Sequence, residues 1–409
     1  YKLMGLSPYG QGVYTDRIKK HLIDIKDDGS FRLNMDYFGY LDTFAMTNGK
    51  FAAMFDGPPR SPESPITPRE MNLAKSIQEV TEEIVLRAAT HAREITGKEY
   101  LCLAGGVALN CVANGKLLRT GTFRDIWIQP AAGDAGGSLG AALTVWHNLL
   151  GNPRRANGAR DSMQGALLGP EFSPEMIREF LDANGYVYTE LDDDRWAPTV
   201  ARLVADQNVV GLHQGRMEFG PRALGNRSIV GDARSPKMQS IMNLKIKYRE
   251  SFRPFAPSCL EERISDYFEI DRPSPYMLLV AQVAARRCVR SQDGGAGQDL
   301  REWVNLPRSD IPAVTHVDFS ARIQSIDRET NPRFYSLIKA FESLTGYAVI
   351  INTSFNVRGE PIVCTPEDSY RCFMRTEMDY LALGPFLLRK ADQPLWQEKE
   401  RWMETFQLD

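Results

Sequence analysis

Histidine is scarce in this chain. Five occur among 409 residues, at His21, His91, His147, His213 and His316, and no two share an HxxxH spacing. A complete histidine metal site therefore cannot be read from the sequence, and no Ser–His–Asp arrangement is supported. His213 and His316 read as satisfied structural histidines. The six cysteines (Cys102, Cys111, Cys259, Cys288, Cys364 and Cys372) include no CxxC pair and sit mostly in apolar surroundings. Reduced, buried thiols in a cytoplasmic protein explain that usage better than a disulfide framework. No apolar run approaches the roughly 20 residues needed to cross a bilayer, so no membrane partner is expected. The opening "YKLMGLSPYG" is no secretory leader. It also lacks an initiator Met and reads like the inside of a domain, so a longer parent protein is expected.

What is present is ordinary globular composition, 43% hydrophobic and 25% charged, with a net charge of −3. The length suggests two domains. The near-neutral balance argues against a nucleic-acid partner but hides a local asymmetry. Gly215 to Pro254 holds nine Lys/Arg against Glu218, Asp232 and Glu250, which leaves the remainder at −9. Along the chain, the five prolines of 56–70 mark an extended loop ending in a helix start, with Thr67 as N-cap, Pro68 next and Glu70 closing a capping box. Leu73, Ile77, Val80, Ile84 and Ala88 then follow at helical spacing. "YLCLAGGVALN" and "DIWIQPAAGDAGGSLGAAL" each read as strand, glycine turn and helix, the signature of an α/β fold. The polar, glycine-rich stretch 151–172 marks a boundary between domains 1–165 and 166–409. In the second, "SPEMIREFLDANG" is a capped helix with a glycine stop, and "NVVGLHQG", "YMLLVAQVAA" and "YAVIINTS" are strands. Residues 288–310 read as an insertion.

Five segments can carry chemistry. Gly105, Gly106 and Asn110 end the first strand where backbone can approach a ligand. Asp134 is a lone carboxylate suited to a cation, and Gly136 and Gly137 offer amides at a helix start, where phosphate is commonly held. Two tight turns would look the same, but their pairing favours a nucleotide. The third segment is "GRMEFGPRALGNRSIVGDAR" with its continuation "NLKIKYRESFRPFAP". Arg216, Arg222, Arg227, Lys245, Lys247, Arg249 and Arg253 crowd among aromatics, Pro and Gly with few acids, which points to a phosphate-rich ligand. Arg234 is placed at the surface. The fourth, "VIINTSFNVRGEP", delivers Ser354 and Asn356 into a turn that simple Asx chemistry would also explain. The fifth, "THVDFSARIQSI", alternates His316, Asp318, Ser320, Arg322 and Gln324 along a strand, with Arg322 and Gln324 the chosen site residues.

Taken in order, "YKLMGLSPYG", "GGVALN", "GDAGGSLGAA", "GRMEFGPRALGNRSI", "FRPFAP" and "NTSFNVRGEPIV" resemble the ATP-dependent O-carbamoyltransferases of nodulation and antibiotic biosynthesis. The resemblance implies a partial actin/sugar-kinase-like (ASKHA) domain followed by a threonylcarbamoyl-AMP synthase-like α/β domain, its last residues packing back on the first. It implies that carbamoyl phosphate and ATP give carbamoyl-adenylate and pyrophosphate in the C-terminal domain. The N-terminal domain would then transfer the carbamoyl group to a hydroxyl of a small natural-product acceptor. Arg222, Lys247, Arg253, Arg322 and Ser354 match catalytic positions. Gly105, Gly106, Asn110, Gly136, Gly137, Arg216, Arg227 and Asn356 are expected around nucleotide and phosphate. Asp134 matches a ligand to an Fe2+-type metal, and Mg2+ accompanies ATP. The family's HxxxH ligands lie upstream of the phrase on which this chain opens. A sugar-kinase-like phosphotransferase, or a tRNA-modifying or nucleotide-sensing protein of the same fold, is the alternative. Homodimerisation is left open.

Overall fold

The computed structural model describes residues 2–156, 158, 161–248, 252–289, 303–304 and 306–396. By its contacts the chain divides into two compact units. Among the described residues, one comprises 2–102 and Val112–Trp127; the other comprises Leu103–Cys111 and 128–396. The contact division falls at 127/128 and gives Leu103–Cys111 to the second unit, whereas the expected division is at 165/166. The expectation for the last residues falls on 397–409, outside the described residues, as do Arg249 and most of the 288–310 insertion. Among the described residues no helix is long and apolar enough to cross a membrane.

The first unit is built on α1 (Pro68–Thr96), which starts where the sequence placed it. Thr67 and Glu70 close a capping box, and Gly97, at φ +65°, ends the helix by donating to the Arg93 carbonyl. Left-handed backbone is why glycine stands there. Val80 on this helix packs with Tyr14, Ile18, Leu22, Ile23 and Phe55 in a small core, each large side chain contributing about 1.5–3 kcal/mol of burial. The Tyr14 ring meets Phe55 edge-on at 5.4 Å, and its N–H donates to Ser76 of α1 at 3.0 Å. A hairpin of β1 (Ile23–Ile25) and β2 (Phe31–Leu33) flanks this core. The strand β3 (Tyr100–Leu103) pairs with β4 (Asp125–Ile128), and α2 (Cys111–Arg119) lies between them in sequence; α3 (Ala135–Thr144), which follows β4, belongs to the second unit by its contacts.

The second unit is a nine-stranded mixed sheet. Its strands are β5 (Thr189–Glu190), β6 (Val210–His213), β7 (Arg227–Gly231), β8 (Ala256–Leu260), β9 (Leu279–Gln282), β10 (Ser320–Ile326), β11 (Val349–Ser354), β12 (Tyr380–Leu383) and β13 (Phe386–Arg389). The order is β5-β13-β12-β6-β7-β11-β8-β10-β9. Only β12 with β6 and β10 with β8 run parallel. Val349, Ile350 and Ile351 are wholly buried in succession, as expected of a strand covered on both faces. The longer helices of the unit include α4 (Pro174–Ala183), α5 (Asp193–Ala205), α6 (Pro332–Thr345) and α7 (Pro366–Arg375). In α4, Ser173 caps the N-terminus and Gly185 follows at φ +65°, as read from the sequence. In α6, the Asn331 side chain accepts from the Phe334 N–H, while Phe334, Leu337, Ile338 and Phe341 bury one face.

Two readings are corrected. The polar alternation assigned to a strand from Thr315 begins only at Ser320. His316 to Phe319 is a turn, in which the His316 N–H donates to the Ser320 carbonyl and Phe319 has φ +62°. Cys102 is exposed, although Cys111, Cys259 and Cys372 are buried; all six cysteines are free thiols. Cys288 bridges to Ser309, so the two ends of the insertion lie side by side.

Candidate active site

The connection from β6 to β7 carries residues 214–226, and glycines shape it. Gly215, Gly220 and Gly225 have φ of +47°, +132° and +118°. At Gly225 a Cβ would also lie 2.4 Å from the Phe334 ring, so both conformation and space require glycine. Beneath this loop lies one polar face of the sheet, which the ladder register defines. Ser354 pairs with Ser228, Asn352 with Ala256, and Gln324 with Ser258. Paired residues and residues two apart share a face. Ser228, Ser258, Gln324, Arg322, Asn352 and Ser354 therefore point the same way, toward the loop. Asn352 and Arg322 stand level across β8, roughly 10 Å apart by strand spacing.

Buried amides and hydroxyls join sheet and loop. Gln324 Nε2 donates to the Leu224 carbonyl at 2.9 Å, and its Oε1 accepts from Ser258 Oγ at 2.5 Å and Asn352 Nδ2 at 2.8 Å. Ser228 Oγ accepts the Gly225 N–H at 2.9 Å. Glu218, also buried, accepts on Oε1 from the N–H groups of Leu224 (2.6 Å), Asn226 (2.9 Å) and Arg227 (3.3 Å).

Two guanidiniums meet at this face with little to neutralise them. Arg222 makes one long hydrogen bond, from Nη2 to the Leu109 carbonyl at 3.5 Å. Its Nε and that of Arg322 are buried without acceptors. Burial, with the Arg322 charge beside it, pushes Arg222 down to about 9. Among the described residues neither makes an ion pair. A buried cation left without a counter-charge costs several kcal/mol, so the arrangement is preorganised for an anion.

Lys247, Ser354 and Asn356 form a second cluster, brought together as the sequence suggested. Lys247 Nζ donates to the Ser354 carbonyl, to Ser354 Oγ at 3.3 Å, and to the carbonyl and Oδ1 of Asn356 at 2.9 and 2.8 Å. Ser354 Oγ donates to Asn356 Oδ1 at 2.7 Å. Arg253 is buried, and its carbonyl accepts from Asn243 Nδ2 at 3.0 Å.

The other candidates lie apart from this pair of clusters. Arg216 is exposed, 3.7 Å from Glu171. Arg227 is wholly buried, and its position next to Ser228 turns it to the opposite face of the sheet. Arg234 is not a surface residue as expected: it grips wholly buried Asp232, with Nη2 to Oδ2 at 2.6 Å, and lies over Phe341 at 5.2 Å. Gly105, at φ +93°, donates its N–H to the Ala132 carbonyl, and it and Gly106 have open space around them. Asn110 follows, its N–H held by the Val107 carbonyl. The Gly136 and Gly137 amides are not free donors, since they bond the Gly133 and Asp134 carbonyls. Gly136 serves packing: a Cβ there would lie 2.2 Å from the Ala131 carbonyl oxygen. Asp134 is exposed. The described residues include no group of three His, Cys, Asp or Glu side chains able to hold a metal ion; Asp134 supplies one carboxylate, and a full ligand set does not form around it. Ser228, Ser258 and Glu218 were not singled out from sequence. Small hydroxyls inside strands and one acid among arginines carry no local signal.

Comparison with known proteins decides the family. The profile described as Carbamoyltransferase N-terminus matches residues 1–143, and Carbamoyltransferase C-terminus matches residues 201–390. The chain belongs to the carbamoyltransferase family. It is 59% identical over 413 residues to an uncharacterized protein of Synechocystis sp., covering 100% of this chain and 67% of that protein. It is 39% identical over 400 residues to the nodulation protein NolO of Bradyrhizobium diazoefficiens, covering 97% of this chain and 66% of that protein. With the nodulation protein NolNO of Sinorhizobium fredii it shares 37% identity over 395 residues, 95% of this chain and 53% of that one. The chain thus spans about half to two thirds of the length of these relatives. A solved structure of full-length HypF in its phosphate- and nucleotide-bound form is similar at a TM-score of 0.30 and 16% identity, over 51% of this chain and 22% of that one; at that score it decides nothing about this carbamoyltransferase-family chain.

Proposed function

We propose that this member of the carbamoyltransferase family is an ATP-dependent O-carbamoyltransferase. In this reading residues 166–409 form a threonylcarbamoyl-AMP synthase-like domain that activates the carbamoyl group, and residues 1–165 form part of an actin/sugar-kinase-like domain that transfers it. The observation that carries the proposal is the buried Arg222–Arg322 pair, short of anionic partners, on the sheet face that also holds Ser354.

In the proposed order each step balances. Water cleaves the O–P bond of carbamoyl phosphate, leaving carbamate and inorganic phosphate. A carbamate oxygen then attacks the α-phosphorus of ATP, the α–β bridging bond breaks, and pyrophosphate leaves. The hydroxyl oxygen of a small acceptor finally attacks the carbamoyl carbon, AMP departs, and the hydroxyl proton passes to solvent. Both reactants of the activating step are polyanions, so fixed positive charge must offset their repulsion. Arg222 and Arg322 supply forked donors to phosphate oxygens, and buried Arg253 is assigned as a third cation. Lys247 holds Ser354 and Asn356 in place at the end of β11 and presents its charge beside them. Gly105, Gly106 and Asn110 are assigned to nucleotide in the transfer step. Mg2+ would accompany ATP. An Fe2+-type ion would take Asp134 as one ligand, and no step is assigned to it.

The test is product analysis with the full protein. Carbamoyl phosphate and ATP together should yield pyrophosphate, and labelled pyrophosphate should exchange into ATP only when carbamoyl phosphate is present. Release of ADP would replace the proposal with a phosphotransferase. Asp134→Ala should keep the exchange and lose carbamoylated product; equal loss of both would refute two separate sites.

A further inference from the structure

An anion at Arg222 can be held only if the loop carrying that side chain keeps its shape, and residues 214–226 contain no helix or strand to hold it. Two buried side chains do so instead. Glu218 gathers the N–H groups of Leu224, Asn226 and Arg227 on one carboxylate oxygen. Arg227 does the converse. Its Nη1 donates to the carbonyls of Gln214 (2.9 Å), Gly215 (3.3 Å) and Asn226 (3.0 Å), its Nη2 to Pro170 (3.3 Å), and its Nε to Cys364 (3.3 Å). One residue collects the loop's amides and the other its carbonyls, and their opposite charges offset each other inside the protein. The guanidinium donors of Arg227 are spent on backbone, and the side chain lies across the sheet from Arg322 and Ser354.

We propose that Glu218 and Arg227 are positioning residues that fix the loop so that Arg222 faces the anion site, and that Arg227 itself does not touch phosphate. The proposal rests on the reading of that site given above and departs from the expectation that Arg227 lies around nucleotide and phosphate. Arginine is required because its planar fork serves several carbonyls at fixed angles, which an ammonium on a flexible stem does not. Glutamate is required because its charge offsets that of Arg227, and glutamine would remove that charge and put an amide N–H2 where Oε2 is buried without a partner.

Inorganic pyrophosphate is the probe, and the full protein is used. Hydrogen exchange across residues 215–227 and calorimetric pyrophosphate affinity are measured in the wild type, Glu218→Gln, Arg227→Lys and Arg222→Ala. Both positioning variants should exchange the Leu224 and Asn226 amides at least tenfold faster and bind pyrophosphate at least tenfold more weakly. Arg222→Ala should lose pyrophosphate with the loop amides unchanged. Faster exchange with wild-type affinity would overturn the proposal, because the pair would then be structural only. Wild-type exchange in both variants would overturn it as well. If the wild type itself binds no pyrophosphate, the site reading fails, while the exchange rates still report whether the pair holds the loop, so the two failures show in different measurements. Should Arg227→Lys not fold, the Glu218→Gln arm decides.

Discussion

Replacing Arg222 by Met should make the ligand-free protein more stable and remove its response to anions. In the free protein the guanidinium is pushed from its usual 12.5 to about 9, first by burial and then by the neighbouring Arg322 charge. At about 1.4 kcal/mol per unit, the folded state disfavours that charge by something on the order of 5 kcal/mol. Methionine is similarly long, uncharged and adaptable in irregular space. The substitution gives up one 3.5 Å hydrogen bond to Leu109, worth about 1 kcal/mol at most. Allowing for relaxation around a buried ion, a net gain of about 1–3 kcal/mol is expected. Pyrophosphate reverses the comparison: at a hundred times its Kd it stabilises the wild type by about 2.7 kcal/mol and leaves the variant unmoved. Urea titrations with and without pyrophosphate read both effects. The wild type should unfold first without the anion, and the gap should close or invert with it. A variant less stable than wild type in anion-free buffer would refute the reasoning, because Arg222 would then have a stabilising partner in the free protein.

Gly225→Ala should cost about 2 kcal/mol or more, since φ is +118° and the new Cβ would press on Phe334; a urea midpoint equal to wild type would show that the loop yields freely. Lys390 gives a pH dependence. Its Nζ donates to the carbonyls of Phe373 and Thr376, and burial pushes it down to about 8 from the 10.5 of an unfolded lysine. Between those values the unfolded chain holds more protons, so stability rises with pH. Below about pH 8 the folded protein carries the full cost. Lys390→Met should thus be most favourable relative to wild type near pH 7 and lose that advantage by pH 10, as read from urea midpoints. A difference that is flat in pH would show that this lysine does not titrate in the folded state.

Helices with caps were legible because their signals are local. Thr67, Pro68 and Glu70 lie within four residues, and so do Ser173 and Pro174. Strands dense in Val and Ile, such as Val349–Ser354, were legible for the same reason. The strands β7 and β8 were not. "RSIVG" opens on a charge and ends on glycine, and "APSCL" contains a proline and a serine, yet both are wholly buried. Their strand character comes from the neighbours on either side, with which they complete the ladders to β11. The same holds for the polar face under the loop. Ser228, Ser258 and Gln324 are separated by up to 96 positions and meet only because β7, β11, β8 and β10 stand in that order.

The arginines show how far charge counting carries the argument. Read along the chain, Arg216, Arg222, Arg227 and Arg234 form one basic cluster and invite one explanation. In the fold they have four environments. Arg216 is exposed near Glu171, and Arg234 closes on buried Asp232 between aromatic rings. Arg227 is consumed by backbone carbonyls, with Glu218 as its counter-charge. Only Arg222 is left with a buried donor and no acceptor for it. Density of positive charge therefore does not mark the anion site; what marks it is the one cation of the four whose hydrogen-bonding capacity the protein leaves unused. Its partner, Arg322, comes from a strand 100 residues later and adds no charge to the cluster at all. If that criterion is right, neutralising Arg216 or Arg234 should leave pyrophosphate affinity within about twofold of wild type, while neutralising Arg322 should abolish it as completely as neutralising Arg222.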